Sequence, residues 1–188
     1  MYILDTYGPQ VDRQLSEMIK TFSMKTGNKN GDETTTAAWK IVVGHQPIYG
    51  GSNHGREPRL IAQQKKYLTA LQKSNADMYL NGDDHLLEVH RVVDKDSKQS
   101  IDFFTTGAGG GSAAYGAVLL DTTLLSYDSS VGFNVHCVSR KNKNVAKTEF
   151  HMVEGSRGGK VQGTLSKEKV SSLKVPVVES PLGSGGGK

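Results

Sequence analysis

Trp39-Lys40-Ile41-Val42-Val43-Gly44-His45-Gln46-Pro47 is the stretch that decides the fold, and it has a counterpart at Met78-Tyr79-Leu80-Asn81-Gly82-Asp83-Asp84-His85. Each stretch begins with a short apolar run and continues into a polar motif that contains histidine. The β-branched residues of the first run are typical of a buried parallel strand, and the second run is a similarly short apolar segment. The sequence therefore predicts two buried strands, each with polar side chains just beyond its end.

A helix is predicted between these two strands. Pro58 can open it at the first turn, and apolar residues then recur on one face to about residue 74, at Leu60, Tyr67, Leu68 and Leu71. A strand, a helix and a second strand of these lengths form a βαβ unit, in which the two strands are parallel. Open α/β sheets bind ligands beyond the carboxyl ends of their parallel strands. The two polar motifs are therefore expected to meet at one ligand-binding edge.

A third apolar run, residues 101–106, leads into the flexible loop Gly107-Ala108-Gly109-Gly110-Gly111-Ser112, which can reach the same edge. The run from Gly109 to Ala114 loosely imitates the dinucleotide-binding fingerprint Gly-x-Gly-x-x-Ala. No clear helix follows it, and no acidic residue has the spacing that the fingerprint needs, so the sequence argues against a dinucleotide cofactor.

The remaining segments are assigned from their periodicity. The apolar run from Tyr2 to Leu4 predicts a strand that needs neighbours to cover it, and we expect the chain to begin inside a domain. Residues 10–24 have the spacing of an amphipathic helix, whereas residues 25–37 have no apolar period and predict a surface loop. Alternation over residues 133–137 and 146–152 predicts an antiparallel hairpin with one buried face.

Four single residues on the predicted strands have structural interpretations. Cys137 alternates with polar neighbours, so it is assigned to the buried face as a core residue and not as a nucleophile. His90, His136 and His151 are interpreted as structural histidines without partners.

Residues 1–165 are predicted to form the folded part, and the glycine- and serine-rich residues 166–188 to form a disordered tail.

Composition excludes several classes of protein. A length of 188 residues suits about one domain, and 36% apolar with 22% charged residues is ordinary for a soluble globular chain. The net charge of +4 is spread along the chain without a basic stripe, which argues against nucleic acid as a partner. No apolar run approaches the ~20 residues of a membrane-spanning helix. The single cysteine excludes an internal disulfide and indicates no compartment.

Residues 1 to about 165 resemble the C-terminal half of a purple acid phosphatase, in the calcineurin-like metallophosphoesterase superfamily. The matching segments, in order, are Gly44-His45-Gln46-Pro47-Ile48-Tyr49, Asn53-His54-Gly55, Asp77 to His85, and Thr106-Gly107-Ala108-Gly109-Gly110. The resemblance implies an α/β fold, a four-layer sandwich of two mixed β-sheets flanked by helices, with the N-terminal half missing. It also implies phosphate monoester hydrolysis by iron(III) beside a divalent iron, zinc or manganese, in a secreted, vacuolar or lysosomal protein.

The chemistry of that reaction explains the residue types. Two adjacent cations neutralise the oxygens of a dianionic ester and lower the pKa of a bound water towards about 7. By resemblance, His45 binds the divalent metal and His85 the iron(III). His54, with Asn53 beside it, matches the family histidine that contacts substrate and protonates the leaving oxygen.

This chain departs from the family at one ligand position. The pattern Gly-His-x-His places a histidine where the chain has Asp83, which suits a harder ion such as manganese or magnesium or removes the divalent metal. Nothing before residue 39 matches the upstream ligands of the family. His45, Asp83 and His85 would then be shared by two ions that usually need three or four ligands each, so the isolated chain is predicted to be inactive.

Structural alternatives remain for each of these residues. His45 and His85 can cap strand ends through backbone hydrogen bonds, and His54 can be a solvated loop residue. Asp83 and Asp84 fit ordinary turn composition. The sequence therefore leaves two functions open: a phosphomonoesterase that lacks its N-terminal half, and a degenerate domain that binds a partner or phosphate without hydrolysis.

Overall fold

The computed structural model describes residues 1–23, 39–52, 57–95, 97–110, 116–128, 131–139, 144–153 and 159–168. Two helices and nine strands lie in these ranges. Their bounds, in chain order, are β1 Tyr2–Ile3, α1 Val11–Ser23, β2 Ile41–Val43, α2 Pro58–Lys73, β3 Met78–Asn81, β4 Leu87–Val93, β5 Ser100–Thr106, β6 Thr123–Tyr127, β7 Gly132–Val138, β8 Val145–Val153 and β9 Gly159–Glu168.

The first sheet has six strands in the order β1-β2-β3-β5-β4-β6. Strands β1, β2, β3 and β5 are parallel neighbours, whereas β4 pairs antiparallel with β5 and β6. The register places Val42 opposite Tyr79, so β2 and β3 end together. The predicted βαβ unit is confirmed, and the strand at residues 101–106 joins the same parallel set.

The second sheet contains β7, β8 and β9, which pair antiparallel in that order. It covers one face of the first sheet, and α1 and α2 cover the other face. Buried residues between the helices and the first sheet include Leu15, Met18, Leu71, Val42, Tyr79 and Phe103. Those between the two sheets include Met78, Val89, Phe104, Phe150, Met152 and Leu165. The predicted α/β class with two packed sheets and flanking helices is confirmed.

The helices form where the apolar periodicity predicts them. Pro58 occupies the first turn of α2, where its fixed φ and missing N–H cost nothing. Leu60, Tyr67 and Leu71 are buried on one face of this helix. The predicted loop at residues 25–37 lies outside the described residues. No helix in the described part of the chain is long and apolar enough to cross a membrane.

A buried charged cluster connects the two sheets. Asp102 on β5 accepts hydrogen bonds from Nε and Nη2 of Arg91 at 2.7 and 2.9 Å, and these bonds raise the pKa of Arg91. Nζ of Lys167, on β9, lies 3.5 Å from the same carboxylate and donates to the carbonyls of Asp77 and Ser100. Burial lowers the pKa of Lys167. Because β9 extends to Glu168, the domain boundary predicted at residue 165 falls inside this strand.

Two expectations about the strand residues are wrong. Cys137 is exposed, because the inward face of β7 carries Gly132, Asn134 and His136 instead of the apolar residues. Nδ2 of Asn134 donates to Oγ1 of Thr106 at 2.7 Å, so the amide nitrogen of Asn134 has a partner at that face.

The three strand histidines also have partners, contrary to expectation. Nε2 of His90 lies 3.1 Å from Glu88, Nδ1 of His136 lies 2.9 Å from Thr148, and Nε2 of His151 lies 3.3 Å from Glu149.

Candidate functional site

The backbone brings the two histidine-containing motifs together at the carboxyl edge of the first sheet. The ladder between β2 and β3 continues past both strands, because Gly44 N–H donates to the carbonyl of Leu80 at 2.9 Å. One step further, Gly82 N–H donates to the carbonyl of His45 at 3.1 Å. The two motifs are thus held side by side by main-chain bonds.

The backbone of Gln46, the residue after His45, is hydrogen-bonded at both its N–H and its carbonyl. The N–H of Gln46 donates to Oγ1 of Thr6 at 3.1 Å, and its carbonyl accepts from the hydroxyl of Tyr79 at 2.9 Å. Burial raises the pKa of Tyr79, so its hydroxyl stays protonated as a donor. The backbone of His45 is therefore rigidly placed, while its side chain is 58% exposed and can reach a ligand.

Asp83 faces His45 across this edge. Its backbone has φ of 67°, in the left-handed region that aspartate accepts more readily than most residues. Oδ1 of Asp83 lies 3.4 Å from Nε2 of His45. The two residues that the sequence predicted as ligands of one metal are therefore neighbours in the structure.

Tyr7 is a member of the site that the sequence reasoning missed. Its hydroxyl lies 3.4 Å from Oδ2 of Asp83, and its ring centre lies 5.4 Å from that of His45. A turn places it there, since Oδ1 of Asp5 accepts hydrogen bonds from the N–H groups of Tyr7 and Gly8. A signal for it existed: the turn follows β1, a parallel strand whose carboxyl end lies at the same edge.

His85 and the glycine loop border this cluster along the chain. His85 is exposed in the turn between β3 and β4. The loop after β5 is seated against the same turn, because a Cβ at Gly107 would lie 1.9 Å from the carbonyl oxygen of Asp84. The prediction that this loop reaches the edge of the sheet is confirmed for residues 107–110.

Asn53 and His54, the predicted substrate-binding and catalytic residues, lie outside the described residues. The backbone just before them is well fixed. Gly51 donates its N–H to Oε2 of the fully buried Glu88 at 2.9 Å, and its carbonyl accepts from the N–H of Val118. A Cβ at Gly51 would lie 2.4 Å from the carbonyl oxygen of Val118, so this close approach requires glycine.

The donor set of this edge is too small for two metal ions. His45, Asp83 and Tyr7 supply one imidazole nitrogen and oxygens from a carboxylate and a phenol, which suit borderline and hard metals. In the part of the chain that the structure describes, no group of three or more histidine, cysteine, aspartate or glutamate side chains could hold a metal ion. A pair of ions with three or four ligands each therefore does not fit these residues alone.

Sequence comparison connects the chain with plant phosphatases. It is 41% identical over 75 residues to purple acid phosphatase 3 of Arabidopsis thaliana and 38% identical over 77 residues to purple acid phosphatase 17 of the same plant. These segments cover 40% and 41% of this chain but only 19% and 21% of the two relatives. No family model matches the chain.

Comparison with solved structures shows a related fold. A purple acid phosphatase from yellow lupin seeds, PPD1, matches 89% of the chain with a TM-score of 0.63 at 16% identity. PhoD matches 91% with a TM-score of 0.58, and GAP50, described as the anchor in the inner membrane complex of Plasmodium, matches 89% with 0.65. The chain covers 30%, 36% and 48% of these three proteins, respectively.

The chain thus has a metallophosphoesterase fold. Within that class, its sequence resembles the purple acid phosphatases, as the motifs predict, and these relatives are phosphatases.

Proposed function

We propose that this chain is the C-terminal part of a phosphate monoester hydrolase of the purple acid phosphatase type. One observation carries the proposal: the motifs at residues 44–47 and 81–85 place His45 and Asp83 3.4 Å apart, at the sheet edge where this fold class binds ligands. Since the aligned segments span about a fifth of the curated relatives, the complete site would need residues from a further part of the protein.

In this proposal the chain contributes ligands of a dinuclear centre and part of the substrate site. His45 and Asp83 would hold the divalent ion and His85 the iron(III), Asn53 and His54 would bind the ester, and His54 would protonate its leaving oxygen. Ions bound there would supply neutralisation of the phosphate charge and activation of an attacking water.

The test is an assay of the complete reading frame with p-nitrophenyl phosphate at mildly acidic pH, together with metal analysis. The proposal expects turnover that depends on bound metal and falls by at least about a hundredfold in His54→Gln, where a general acid is lost. A folded protein that contains metal but releases no phosphate would contradict it. The partly buried His151→Gln on β8, in the second sheet, is the control and should leave turnover unchanged.

A second candidate is a non-catalytic scaffold that keeps the fold and binds a partner or phosphate. Asp83 at a family histidine position favours it, as does the sparse donor set of the described residues. One structural neighbour, GAP50, is described as an anchor and not as a phosphatase.

The substitution Asp83→His distinguishes the two candidates. Histidine tolerates the left-handed φ at this position, so the variant should fold. Gained metal and turnover would favour a damaged enzyme, and no change in either would favour the scaffold.

A further inference from the structure

We propose that residues 173–178 of this chain add as a fourth strand to the open edge of β7 and cover an apolar strip of the first sheet. These residues follow β9, which ends at Glu168, and they lie outside the described ranges. Composition alone assigns them to a disordered tail, but their alternation and the surface beside β7 indicate a docked strand. The docking is independent of the proposed phosphatase function.

The apolar strip consists of Leu80, Val43 and Ile3, which lie in register with Phe104 across β3, β2 and β1. Leu80 packs against the cluster between the two sheets, and residues in register share its face. Phe104 on β5 is 1% exposed, Leu80 and Val43 are half-buried, and Ile3 is 70% exposed. The second sheet therefore covers this row at β5 and leaves it progressively open towards β1.

Strand β7 forms the edge of the second sheet next to this strip. His136 of β7 packs on Phe104, with ring centres 4.7 Å apart, so β7 lies above β5. Phe150 of β8 and Gly163 of β9 both lie against Tyr127 of β6. The other side of β7 therefore faces β3, β2 and β1, where the described residues supply no further strand of the second sheet.

The open edge of β7 presents main-chain groups that can pair with another strand. Val131 accepts a bond from Val153 of β8, and main-chain groups point to alternate sides along a strand, so those of Asn134 and His136 point away from β8. Within the described ranges, β7 has no strand partner on that side. Oδ1 of Asn134 is also buried there without a hydrogen-bond partner among the described residues.

Among the edges of the two sheets, β7 lacks the usual protection against strand addition. Natural edge strands are blocked by charges, proline, bulges or a short length. Strand β7 has seven residues without a charge or a proline, and it pairs with β8 without a register shift. By contrast, β6 and β9 each have a register shift, and β1 has only two residues. A further strand is therefore expected at β7.

The sequence of residues 173–177 fits that position. Leu173, Val175 and Val177 alternate with Lys174 and Pro176, which gives an extended strand one apolar face. Residues that exchange hydrogen bonds across an antiparallel pair share a face, so the inward apolar residues are the ones that bond to β7. Pro176, which has no N–H, then has its nitrogen on the solvent side, where an edge strand tolerates proline.

The chain also leaves β9 at the end from which it can reach this edge. Glu168 pairs with Val145 and Val138 pairs with Ala146, so β9 and β7 end at the same end of the sheet. A segment that turns back there runs antiparallel to β7 and completes a Greek key, in which the fourth strand lies beside the first. Five extended residues span about 17 Å, and the three strand spacings to be crossed add up to about 14 Å.

The test compares the 188-residue chain with a form that lacks residues 171–188, by amide hydrogen exchange measured with NMR. The N–H groups of Asn134 and His136 should exchange at least about tenfold faster after the deletion, because they lose their acceptors. Those of Phe133 and Val135, which face β8, should keep their rates. Equal rates at Asn134 and His136 in the two forms would overturn the proposal.

Point variants test the same contact without shortening the chain. Val175→Asp places a charge on the inward face and should accelerate exchange at Asn134 and His136 as the deletion does. Val178→Asp changes an outward residue of the same segment and is the matched control, which should leave the rates unchanged. Unchanged rates in Val175→Asp would overturn the proposal. Protection that rises with protein concentration, in a chain that sediments as a dimer, would also overturn it, because a second copy would then occupy the edge.

Discussion

The carboxylate of Glu88 accepts a hydrogen bond from the N–H of Gly51, with 2.9 Å between the nitrogen and Oε2. Glu88 is fully buried, and the same oxygen lies 3.1 Å from Nε2 of His90. A buried carboxylate is costly unless it is paired and hydrogen-bonded. This pair on β4 therefore fixes the loop that continues from His45 towards residue 54.

Replacing Glu88 with leucine should destabilise the protein. The change leaves the buried N–H of Gly51 without its acceptor and His90 without its carboxylate, and we expect a loss of about 2–4 kcal/mol in the free energy of unfolding. Glu88→Gln keeps an oxygen for Gly51 and should lose less. Urea denaturation measures both, with Glu149→Gln on the outer face of β8 as control. A leucine variant as stable as the wild type would contradict this role.

Asp102 is expected to be the most sensitive residue between the two sheets. Asp102→Asn leaves Arg91 and Lys167 as neighbouring buried cations without a carboxylate, which should cost about 3–5 kcal/mol. Adding Lys167→Met removes one of the two cations, so the double variant should regain part of the loss. Equilibrium denaturation of the two single variants and the double variant measures this coupling.

The matched control for Asp102 is Asp12→Asn, which breaks an exposed pair with Lys66 and should change stability by less than about 1 kcal/mol. If Asp102→Asn behaved like this surface variant, the buried cluster would not hold the sheets together.

His136 should make stability fall in acid. Burial against Phe104 lowers the pKa of His136 below its ordinary value of about 6.5. The native state then binds fewer protons than the unfolded state just below that value, so stability decreases as the pH falls through about 6.5. Each unit of lowering removes about 1.4 kcal/mol once the pH is below both pKa values.

Urea midpoints of the wild type and His136→Gln, measured from about pH 7.5 to 5, isolate this contribution. The wild type should lose stability relative to the variant, which cannot titrate at this position, as the pH falls. Parallel curves for the two proteins would show that His136 ionises equally in the native and unfolded states.

The sequence predicts the elements whose patterns are local. The βαβ unit follows from two apolar runs and Pro58, and it correctly brings His45 and Asp83 to one edge. Tyr7 could not be assigned from its neighbours in the sequence, because its contact with Asp83, 76 positions along the chain, depends on the pairing of β1 with β2. The side chains at residues 53 and 54 lie outside the described residues, so their roles stay predictions.

The prediction of which face of β7 is buried is wrong, and the reason is physical. Alternation alone assigns the apolar residues Phe133, Val135 and Cys137 to the core. In the structure the inward face instead carries Asn134, whose Nδ2 donates to Thr106, and His136, whose Nδ1 lies 2.9 Å from Oγ1 of Thr148. Phe133 is 45% exposed and stacks on His151 of β8, with ring centres 4.9 Å apart.

This reversed face predicts that Cys137 reacts in the folded protein. One thiol per chain should react with a disulfide reagent such as dithiobis-nitrobenzoate without denaturant, because the side chain lies opposite Lys147 on the outer face of the second sheet. The rate should be within about tenfold of that in urea, where no structure protects the thiol. Cys137→Ser should give no reaction. A thiol that reacts only after unfolding would return Cys137 to the core and require β7 to pair with β8 in a register shifted by one residue, since such a shift moves every side chain to the other face.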